Sequence, residues 1–436
     1  MKKLLLTLVT LCLAWTIFPG SNDVQAKKIS SKKLNQLVAK MSLEEKIAQM
    51  YLVPSSGNPT GMAAEIKDYQ LGGVVLFGAD FQNQTPKQLK AKLKTWQKAS
   101  QIGLFIATDQ EGGTVSRLSA NPKLTGKKYP APQELYAKGG VAAVSKNYRQ
   151  TAKTLRHLGI NWNFAPVADV SNDPNSFIYP RTLGQDYQTT ATYIKMVVPA
   201  IQSQKVIASL KHFPGYGSAA DTHTGFASDK RPLSDFQQND FLPFEAGIKV
   251  KVDTVLVAHV VMSAVDDHNP ASLSPAVHQL LRQNLHFKGL IVTDDLGMGA
   301  IKDFAKEHAV NPDLLAVKAG NDILLSTGYQ KGIPAIAAAV RAGEISEGQI
   351  DQTVKRIIKL KAKLGILKWK QLSTGEKARN WLFTCGYFYW LCPKLCVHHF
   401  QRILRNQRVF LRVIFNKAWF RSLLPQLIFR GSLIEN

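Results

Sequence analysis

The sequence predicts an α/β fold, a (β/α)8 TIM-like barrel in a single catalytic domain. Short apolar runs alternate with helix-length amphipathic segments, which is the pattern of a parallel sheet. Nearly every run ends in polar residues, as in a barrel whose catalytic side chains come from many strand ends. A doubly wound sheet would share the alternation, but no Gly-x-Gly-x-x-Gly fingerprint follows the first strand. These observations favour the barrel.

The elements follow in chain order. Ser42 and Glu45 have the spacing of a capping box, and Leu43, Met50 and Tyr51 share one face of the helix predicted after it. The later apolar runs, predicted as strands, are Gly73 to Phe77, Leu104 to Thr108, Ile160 to Phe164, Val206 to Leu210, Thr254 to Ala258, Leu290 to Thr293 and Asp322 to Leu325. The predicted helices among and after them include Pro86 to Ser100, Ala142 to Leu158, Thr189 to Gln204 and Ile357 to Leu367.

The N-terminus has the features of a secretory signal. Lys2 and Lys3 precede an apolar run, and Val24-Gln25-Ala26 fits a cleavage site after Ala26. We therefore expect a secreted or cell-envelope-associated bacterial protein, with an uncleaved N-terminal anchor as the alternative. The predicted parts are a signal peptide at residues 1–26, the barrel at 27–368 and an atypical tail at 369–436.

The charge balance predicts an anionic neighbour. The chain of 436 residues carries 55 Lys and Arg against 31 Asp and Glu, a formal net charge of +24. Such a chain can associate with nucleic acid, an anionic membrane or an acidic polymer. The main body has no nucleic-acid-binding motif, so we expect association with an anionic cell envelope and no nucleic acid.

The tail from Trp369 onward differs in composition from the rest of the chain. It is rich in aromatic residues and carries eleven Lys and Arg against two Glu. A membrane-surface segment, a small accessory domain and out-of-frame translation are the three interpretations, and the abrupt change favours the last. Cys385, Cys392 and Cys396 stand there near two histidines, but their spacing fits no strong zinc pattern, so no metal site is predicted.

The stretch "LKHFPGYGSAADTHTG", Leu210 to Gly225, contains several ionisable side chains just after a predicted strand. His223 lies two residues from Asp221, and a carboxylate that orients an imidazole fixes its tautomer and raises its basicity. This pair is a candidate general acid and base. Lys211 and His212 precede it, at the end of the predicted strand.

The stretch "IVTDDLGMGAI" places Asp294 at another strand end. A hydrogen-bonded aspartate there is a candidate nucleophile or metal ligand. Adjacent side chains point apart in extended backbone, so Asp295 would point elsewhere. We expect Asp295 rather than Asp294 to act as the N-cap of the following helix.

Further polar residues follow other strands. Asp109 ends one run, Arg117 comes eight residues later, and Arg181 lies in "YPRTLG". A carboxylate accepts hydrogen bonds from sugar hydroxyls, and arginine and lysine donate to hydroxyls or carbonyls. Together with Lys211 and His212, these residues form a candidate sugar-binding pocket.

The motifs resemble those of glycoside hydrolase family 3, in its β-N-acetylglucosaminidase (β-N-acetylhexosaminidase) branch. They are "DQEGG" from Asp109, "FAPVADV" from Phe164, "KHFPGYG" from Lys211, "DTH" from Asp221 and "TDDLGM" from Thr293, in the family's order. The resemblance covers roughly Leu37 to Leu367. The motifs depart from the family at Thr114 and Tyr216, where the family often has arginine and histidine, and in the short spacer Ser218-Ala219-Ala220.

The resemblance implies a retaining, two-step mechanism. Asp294 matches the nucleophile, and His223, held by Asp221, matches the acid/base. Asp109 and the basic residues Arg117, Arg181, Lys211 and His212 match sugar-contacting positions. No metal or organic cofactor is implied, and the expected substrate is terminal β-linked N-acetylglucosamine of cell-wall (peptidoglycan) fragments or related glycosides.

Two kinds of alternative remain open at this point. The same fold could act on β-glucosides, or use phosphate instead of water as the acceptor. A protein of another class, a non-catalytic wall-binding protein, would need no retained catalytic residues.

Overall fold

The computed structural model describes residues 29–217 and 227–368, which fold as alternating strands and helices within one unit. The strands are β1 (Tyr51–Pro54), β2 (Gly73–Leu76), β3 (Phe105–Thr108), β4 (Gln110–Gly112), β5 (Val115–Ser116), β6 (Trp162–Asn163), β7 (Ile207–Phe213), β8 (Ser228–Asp229), β9 (Thr254–Val257), β10 (Val261–Met262), β11 (Leu290–Thr293) and β12 (Leu324–Leu325). The α-helices are Ser31–Ala39, Leu43–Ala48, Pro59–Tyr69, Gly78–Phe81, Pro86–Ala99, Pro122–Thr125, Pro132–Leu158, Tyr187–Gln202, Leu233–Asp235, Phe241–Lys249, Pro275–Gln279, Gly299–Glu307, Pro312–Ala319, Tyr329–Arg341 and Glu347–Lys363. Short 3-10 helices are Leu118–Ala120, Tyr179–Arg181 and Ala271–Leu273, and π-helices are Phe236–Asp240 and Leu280–Asn284.

Eight of the strands form one parallel sheet in the order β11-β9-β7-β6-β3-β2-β1-β12. A parallel bridge between Val292 and Ile323 joins its two edges, so the sheet closes on itself. The predicted barrel is therefore confirmed. Because all eight strands run the same way, their carboxyl ends meet at one face, where side chains from distant parts of the sequence come together.

The strand predictions are confirmed for all seven runs, but β1 was missed. The prediction placed Met50 and Tyr51 on a helical face, whereas the helix ends at Ala48 and Tyr51 begins a strand. Tyr51 pairs with Leu324 on β12, and the next residue pairs with Gly73 on β2. This segment is too short for its hydrophobic periodicity to indicate a helix or a strand. Its pairing with two distant strands makes it a strand.

The helix predictions are confirmed in kind and differ in their bounds. In the predicted capping box, the Ser42 hydroxyl accepts from the Glu45 amide at 3.1 Å, and the Glu45 carboxylate accepts from the Ser42 amide at 2.8 Å. The last helix spans Glu347–Lys363 instead of Ile357 to Leu367, since it begins at a cap from Ser346.

Polar and aromatic side chains share the interior of the barrel. The Trp162 indole donates to the Ser209 hydroxyl at 2.7 Å, and that hydroxyl lies 2.6 Å from the Thr254 hydroxyl. The rings of Phe105 and Phe164 pack against Trp162 at 5.1 and 5.4 Å between centroids. Buried polar groups cost little when they are hydrogen-bonded, so this chain of contacts is compatible with the packed core.

The predicted signal peptide and tail lie outside the described residues. Among the helices of residues 29–217 and 227–368, none combines the length and the apolar character that a bilayer crossing needs.

The amino ends of the strands are linked to the last helix by Lys361. Its ammonium donates to the Gln49 side chain at 2.7 Å and to the carbonyls of Gly72 and Gly103 at 3.0 and 2.7 Å. It also lies 4.8 Å from the centre of the Phe105 ring. Because Gln49, Gly72 and Gly103 precede β1, β2 and β3, one buried side chain ties the last helix to three strands.

We predict that Lys361→Met lowers the free energy of unfolding by about 2 to 4 kcal/mol, because it leaves the buried Gln49 side-chain oxygen and the Gly103 carbonyl without a donor. The Gly72 carbonyl keeps its bond from the Phe105 amide. Burial lowers the pKa of Lys361 to about 7 from 10.5. Between those pH values the unfolded chain binds more protons than the folded one, so raising the pH favours the folded state. The stability of the wild type relative to Lys361→Met should therefore increase from about pH 7 to about pH 10.

Urea unfolding of both proteins at several pH values measures this difference. Lys359→Met, an exposed change on the same helix, is the control and should leave the stability within about 0.5 kcal/mol of the wild type. Equal stabilities for the two variants would contradict the role given to Lys361.

Candidate active site

A cavity of about 330 Å³ lies at the carboxyl ends of the barrel strands. It brings together six of the eight predicted site residues: Asp109, Arg117, Arg181, Lys211, His212 and Asp294. The rest of its lining comes from Phe77, Val115, Phe164, Leu256, Asp295, Met298 and Leu325. Seven of the thirteen lining residues are charged or polar and six are apolar, and polar groups that converge in a partly apolar cavity are typical of a site for a small polar molecule.

Lys211 is the centre of the polar cluster. It is the fifth residue of β7, its side chain is 3% exposed, and its ammonium lies 2.8 Å from Asp109 and 2.6 Å from Glu111. Burial lowers the pKa of Lys211, but the two carboxylates outweigh this effect, and the net shift is upward. The ammonium therefore stays charged and holds β7 against the segment that follows β3.

Arg181 supports the second of these carboxylates. Its guanidinium donates to both oxygens of Glu111, at 2.9 and 2.8 Å, and Glu111 is fully buried. This bidentate geometry is the strong form of an arginine–carboxylate pair. Burial raises the pKa of Glu111, but Lys211 and Arg181 together hold it below its ordinary value. Glu111 thus remains ionised and fixes the positions of two cations.

Asp109 is the more accessible carboxylate. It follows β3, is 17% exposed, and pairs with Arg117 at 3.4 Å in addition to Lys211. Burial raises the pKa of Asp109, but Lys211 and Arg117 outweigh it and lower the pKa overall. The Nε atom of Arg117 is buried and has no hydrogen-bond partner within the described residues. The pair therefore offers a ligand in the cavity an ionised acceptor, the Asp109 carboxylate, beside the Arg117 guanidinium.

His212 is held by a carboxylate that the sequence analysis did not select. The buried Asp169 accepts from the His212 amide at 3.0 Å and lies 2.7 Å from its Nδ1. Its other oxygen accepts from the Tyr216 amide at 2.9 Å. Nδ1 therefore donates to Asp169, which leaves Nε2 directed to Arg181 at 3.2 Å.

Tyr216 occupies the position where the family often has histidine. Its ring meets His212 edge-on at 5.1 Å and Phe177 at 4.9 Å. The departure thus provides an aromatic wall behind His212, and it leaves the contact between His212 and Asp169 intact.

Asp294 and Asp295 are adjacent but differ in electrostatics. Burial raises the pKa of Asp294, but His212, His259 and the Asp295 amide outweigh it, and the pKa is lowered. Burial raises the pKa of Asp295, the charge of Asp294 adds to this effect, and the net shift is upward. Asp294 is therefore the carboxylate that stays ionised at the cavity, as a nucleophile requires.

The N-cap role expected of Asp295 is wrong. Its side chain accepts from the Gly297 amide at 2.8 Å and closes a turn, and the helix begins two residues later, at Gly299. The helix has Met298 as its N-cap. Because of this turn the helix begins further along the chain, and its N-cap comes after Asp294 and Asp295.

Asp221 and His223 lie outside the described residues, between Gly217 and Ala227. The chain on either side of them is held by Arg231, which pairs with Asp229 and Asp240 at 2.8 Å each. A Cβ atom at Gly217 would lie 2.8 Å from the Arg231 guanidinium, so the backbone passes directly against it. One arginine thus contacts both flanks of the segment.

Glu111 and Asp169 are the residues that sequence reasoning missed. Both stand inside quoted motifs, "DQEGG" and "FAPVADV". Asp169 lies between Ala168 and Val170, and a carboxylate among apolar residues signals a buried group with a polar partner, whereas Glu111 has no such signal in its neighbours. Neither forms a metal site: within the described ranges, no group of His, Cys, Asp and Glu side chains is arranged to hold a metal ion.

Comparisons with known proteins agree with the geometry. The profile of the "Glycosyl hydrolase family 3 N terminal domain" matches residues 42–360. "Beta-hexosaminidase A" of Pseudoalteromonas piscicida is 31% identical over 343 residues, which are 70% of this chain and 56% of that protein. "Beta-hexosaminidase LpqI" of Mycobacterium tuberculosis is 32% identical over 336 residues, 74% of this chain and 84% of that protein. The chain thus spans just over half the length of the first relative and most of the second.

Solved structures give the same result. A glycoside hydrolase family 3 beta-N-acetylglucosaminidase from a Paenibacillus species superposes with a TM-score of 0.70 at 30% identity, covering 77% of this chain and 65% of that one. Mycobacterium tuberculosis LpqI superposes with a TM-score of 0.67 at 28% identity, covering 75% and 96%. Because the profile spans most of the barrel, this chain belongs to glycoside hydrolase family 3, in the β-N-acetylhexosaminidase branch that its motifs indicated.

Proposed function

We propose that this protein is an exported, retaining β-N-acetylhexosaminidase that removes terminal β-linked N-acetylglucosamine from cell-wall fragments or related glycosides. The observation that carries the proposal is an ionised Asp294 in one cavity with Asp109, Arg117, Lys211 and Arg181. The names of the relatives support N-acetylglucosamine as the sugar that is removed, since those proteins are called beta-hexosaminidases. Peptidoglycan as the source of the sugar rests on the predicted export and basic charge.

In the first step, a carboxylate oxygen of Asp294 attacks the anomeric carbon while the bond to the leaving oxygen breaks. His223 donates its proton to that oxygen, and the product is a glycosyl–enzyme ester and a free alcohol. In the second step, His223 takes a proton from water, and the resulting oxygen displaces Asp294 from the anomeric carbon. Asp221 holds the imidazole throughout. His223 and Asp221 enter this mechanism on the sequence motif alone.

The remaining residues bind the sugar. Asp109 accepts hydrogen bonds from hydroxyls, and Arg117, Arg181 and Lys211 donate to oxygen atoms of the ring substituents. His212 contacts the sugar with its ring, since its Nδ1 is bonded to Asp169 and its Nε2 faces Arg181. Lys211 and Arg181 share Glu111, and Lys211 also pairs with Asp109, so the sugar contacts two cations that two carboxylates balance rather than an isolated cation.

We predict that Asp294→Ala lowers kcat/KM for p-nitrophenyl β-N-acetylglucosaminide at least about 1000-fold, the scale expected when a nucleophile is lost. Release of p-nitrophenol measures it, and a mechanism-based fluoro sugar should label the peptide that contains Asp294 in the wild type. Asp295→Asn is the matched control and should lose far less activity, because Asp295 is bonded within its own turn.

Full hydrolysis by Asp294→Ala would overturn the mechanism. Wild-type protein that binds the glycoside without cleaving it would favour the non-catalytic wall-binding alternative. The p-nitrophenyl glucoside, assayed with and without phosphate, tests the β-glucosidase and phosphorylase alternatives in the same experiment.

We predict that Asp169→Asn raises KM and lowers kcat/KM roughly 10- to 100-fold, because hydrogen bonds to a charged acceptor contribute about 1.5 to 3 kcal/mol. The variant keeps the size of the side chain but loses the charge that orients His212. Asp173→Asn is the control, since Asp173 is exposed and bonds only to its own turn. Equal KM values for the two variants would contradict the proposal that Asp169 positions His212.

We predict that the mature protein begins at Lys27 and accumulates outside the cell or on its envelope. Intact-mass spectrometry of the culture medium, the envelope and the cytosol measures both the mass and the location. Ala26→Arg should block cleavage and keep the full N-terminus. Wild-type protein of full mass confined to the cytosol would contradict export and leave the hydrolase proposal standing.

A further inference from the structure

One helix on the outside of the barrel exposes a row of cations. In Pro86–Ala99 the side chains of Lys87, Lys90, Lys94 and Lys98 are exposed, at spacings of three and four residues that place them on one face. The helix has no Asp or Glu. Its fifth lysine, Lys92, is mostly buried and paired with Asp80.

The helix Pro132–Leu158 repeats this pattern. Beyond its break at Gly139 and Gly140, the residues 141–158 include no Asp or Glu. Lys146, Arg149 and Lys153 are exposed, again at spacings of three and four. The two helices thus present rows of cations of similar spacing.

The two rows are neighbours in space. The Lys90 ammonium lies 3.4 Å from the His157 ring, so the rows meet without an acidic residue between them. We call the seven exposed cations the basic face: Lys87, Lys90, Lys94, Lys98, Lys146, Arg149 and Lys153. Packed helices lie about 8 to 10 Å apart, so the face is two rows wide.

The basic face differs from other charged parts of the surface. Elsewhere on the surface exposed lysines have carboxylate partners: Lys318 pairs with Glu344 and Lys363 with Asp253, at 2.7 and 2.6 Å. Within the described residues, none of the seven cations of the basic face forms an ion pair. The face ends at helix Pro59–Tyr69, which carries Glu65 and Asp68. A group of like charges without partners creates a local positive potential that attracts an anion.

We propose that the basic face binds a linear polyanion, a flexible chain of repeated phosphate groups. Along each helix the cations follow one another at intervals of about 4.5 to 6 Å. Each of them can therefore contact one of the successive anionic groups of an extended chain. This surface would give the expected envelope association a physical location. It is separate from the catalytic cavity, so its failure would leave the proposed hydrolysis untouched.

The chemistry of the face favours a polyanion over a lipid surface. Helices that lie in a membrane interface insert large apolar side chains beside their cations. Here Trp96 is 1% exposed, and the exposed large apolar residues of the described ranges, Tyr69 and Met196, lie on the neighbouring helices Pro59–Tyr69 and Tyr187–Gln202 and not in the two rows of cations. Without an apolar anchor, binding depends on charge alone and should weaken steeply with salt.

The test compares two variants of the full chain with equal changes in charge. The first, K90E/K94E/R149E/K153E, reverses the centre of the basic face. The second, K288E/K306E/K331E/K359E, reverses four exposed lysines elsewhere, for which the described residues record no ion pair. Anisotropy of fluorescently labelled inorganic polyphosphate, at several salt concentrations, measures affinity. Circular dichroism and hydrolysis of a neutral aryl N-acetylglucosaminide report folding and catalysis.

We expect the first variant to bind polyphosphate at least about tenfold more weakly, with a salt slope of log K smaller by roughly 3, since each contact contributes about 0.7. The second variant should bind almost as the wild type does. Equal losses in both would overturn the proposal and assign the binding to net charge. Wild-type binding to vesicles of acidic lipid that is tighter than its binding to polyphosphate, resists salt and is lost in the first variant would overturn the proposal and assign the basic face to a lipid surface.

Discussion

The site depends on one buried ammonium, that of Lys211. Removing a lysine from water is costly unless carboxylates surround it, and here Asp109 and Glu111 lie within 2.8 Å. Asp109 and Glu111 belong to the segment after β3, whereas Lys211 belongs to β7, so the pairing ties two parts of the barrel together. Arg181 joins through Glu111. The contacts that satisfy the charge of Lys211 therefore also shape the cavity.

The same cluster gives Asp294 and Asp295, two identical side chains, different pKa values. Asp294 lies near Lys211 and two histidines, and its pKa is lowered; Asp295 lies beside Asp294 in a buried turn, and its pKa is raised. Position, rather than residue type, makes one of them the ionised carboxylate. Such divergence of neighbouring carboxylates is how a site obtains distinct roles from the same chemical group.

The sequence was sufficient for much of the barrel and for the residues at its strand ends. In a parallel barrel every strand ends at the same face, so a polar residue after a predicted strand is already placed near the others. Sequence reasoning failed where a role depends on a distant partner. Asp169 matters because it bonds to His212, 43 residues away, and Glu111 because it bonds to Arg181, 70 residues away. Likewise, β1 is decided by its pairing with β12 rather than by its own pattern.

Charge is used in two distinct ways in this chain. In the cavity, cations and carboxylates are buried together and largely cancel, so they act on a ligand at contact distance and are little screened by salt. On the basic face the cations are exposed and unopposed, and their field reaches about one Debye length, some 8 Å at physiological ionic strength. Turnover of a small neutral glycoside should therefore respond little to salt, whereas attachment to an anionic envelope should respond strongly. The exposed part of the positive charge thus bears on the proposed polyanion binding, whereas the buried part bears on the chemistry of the cavity.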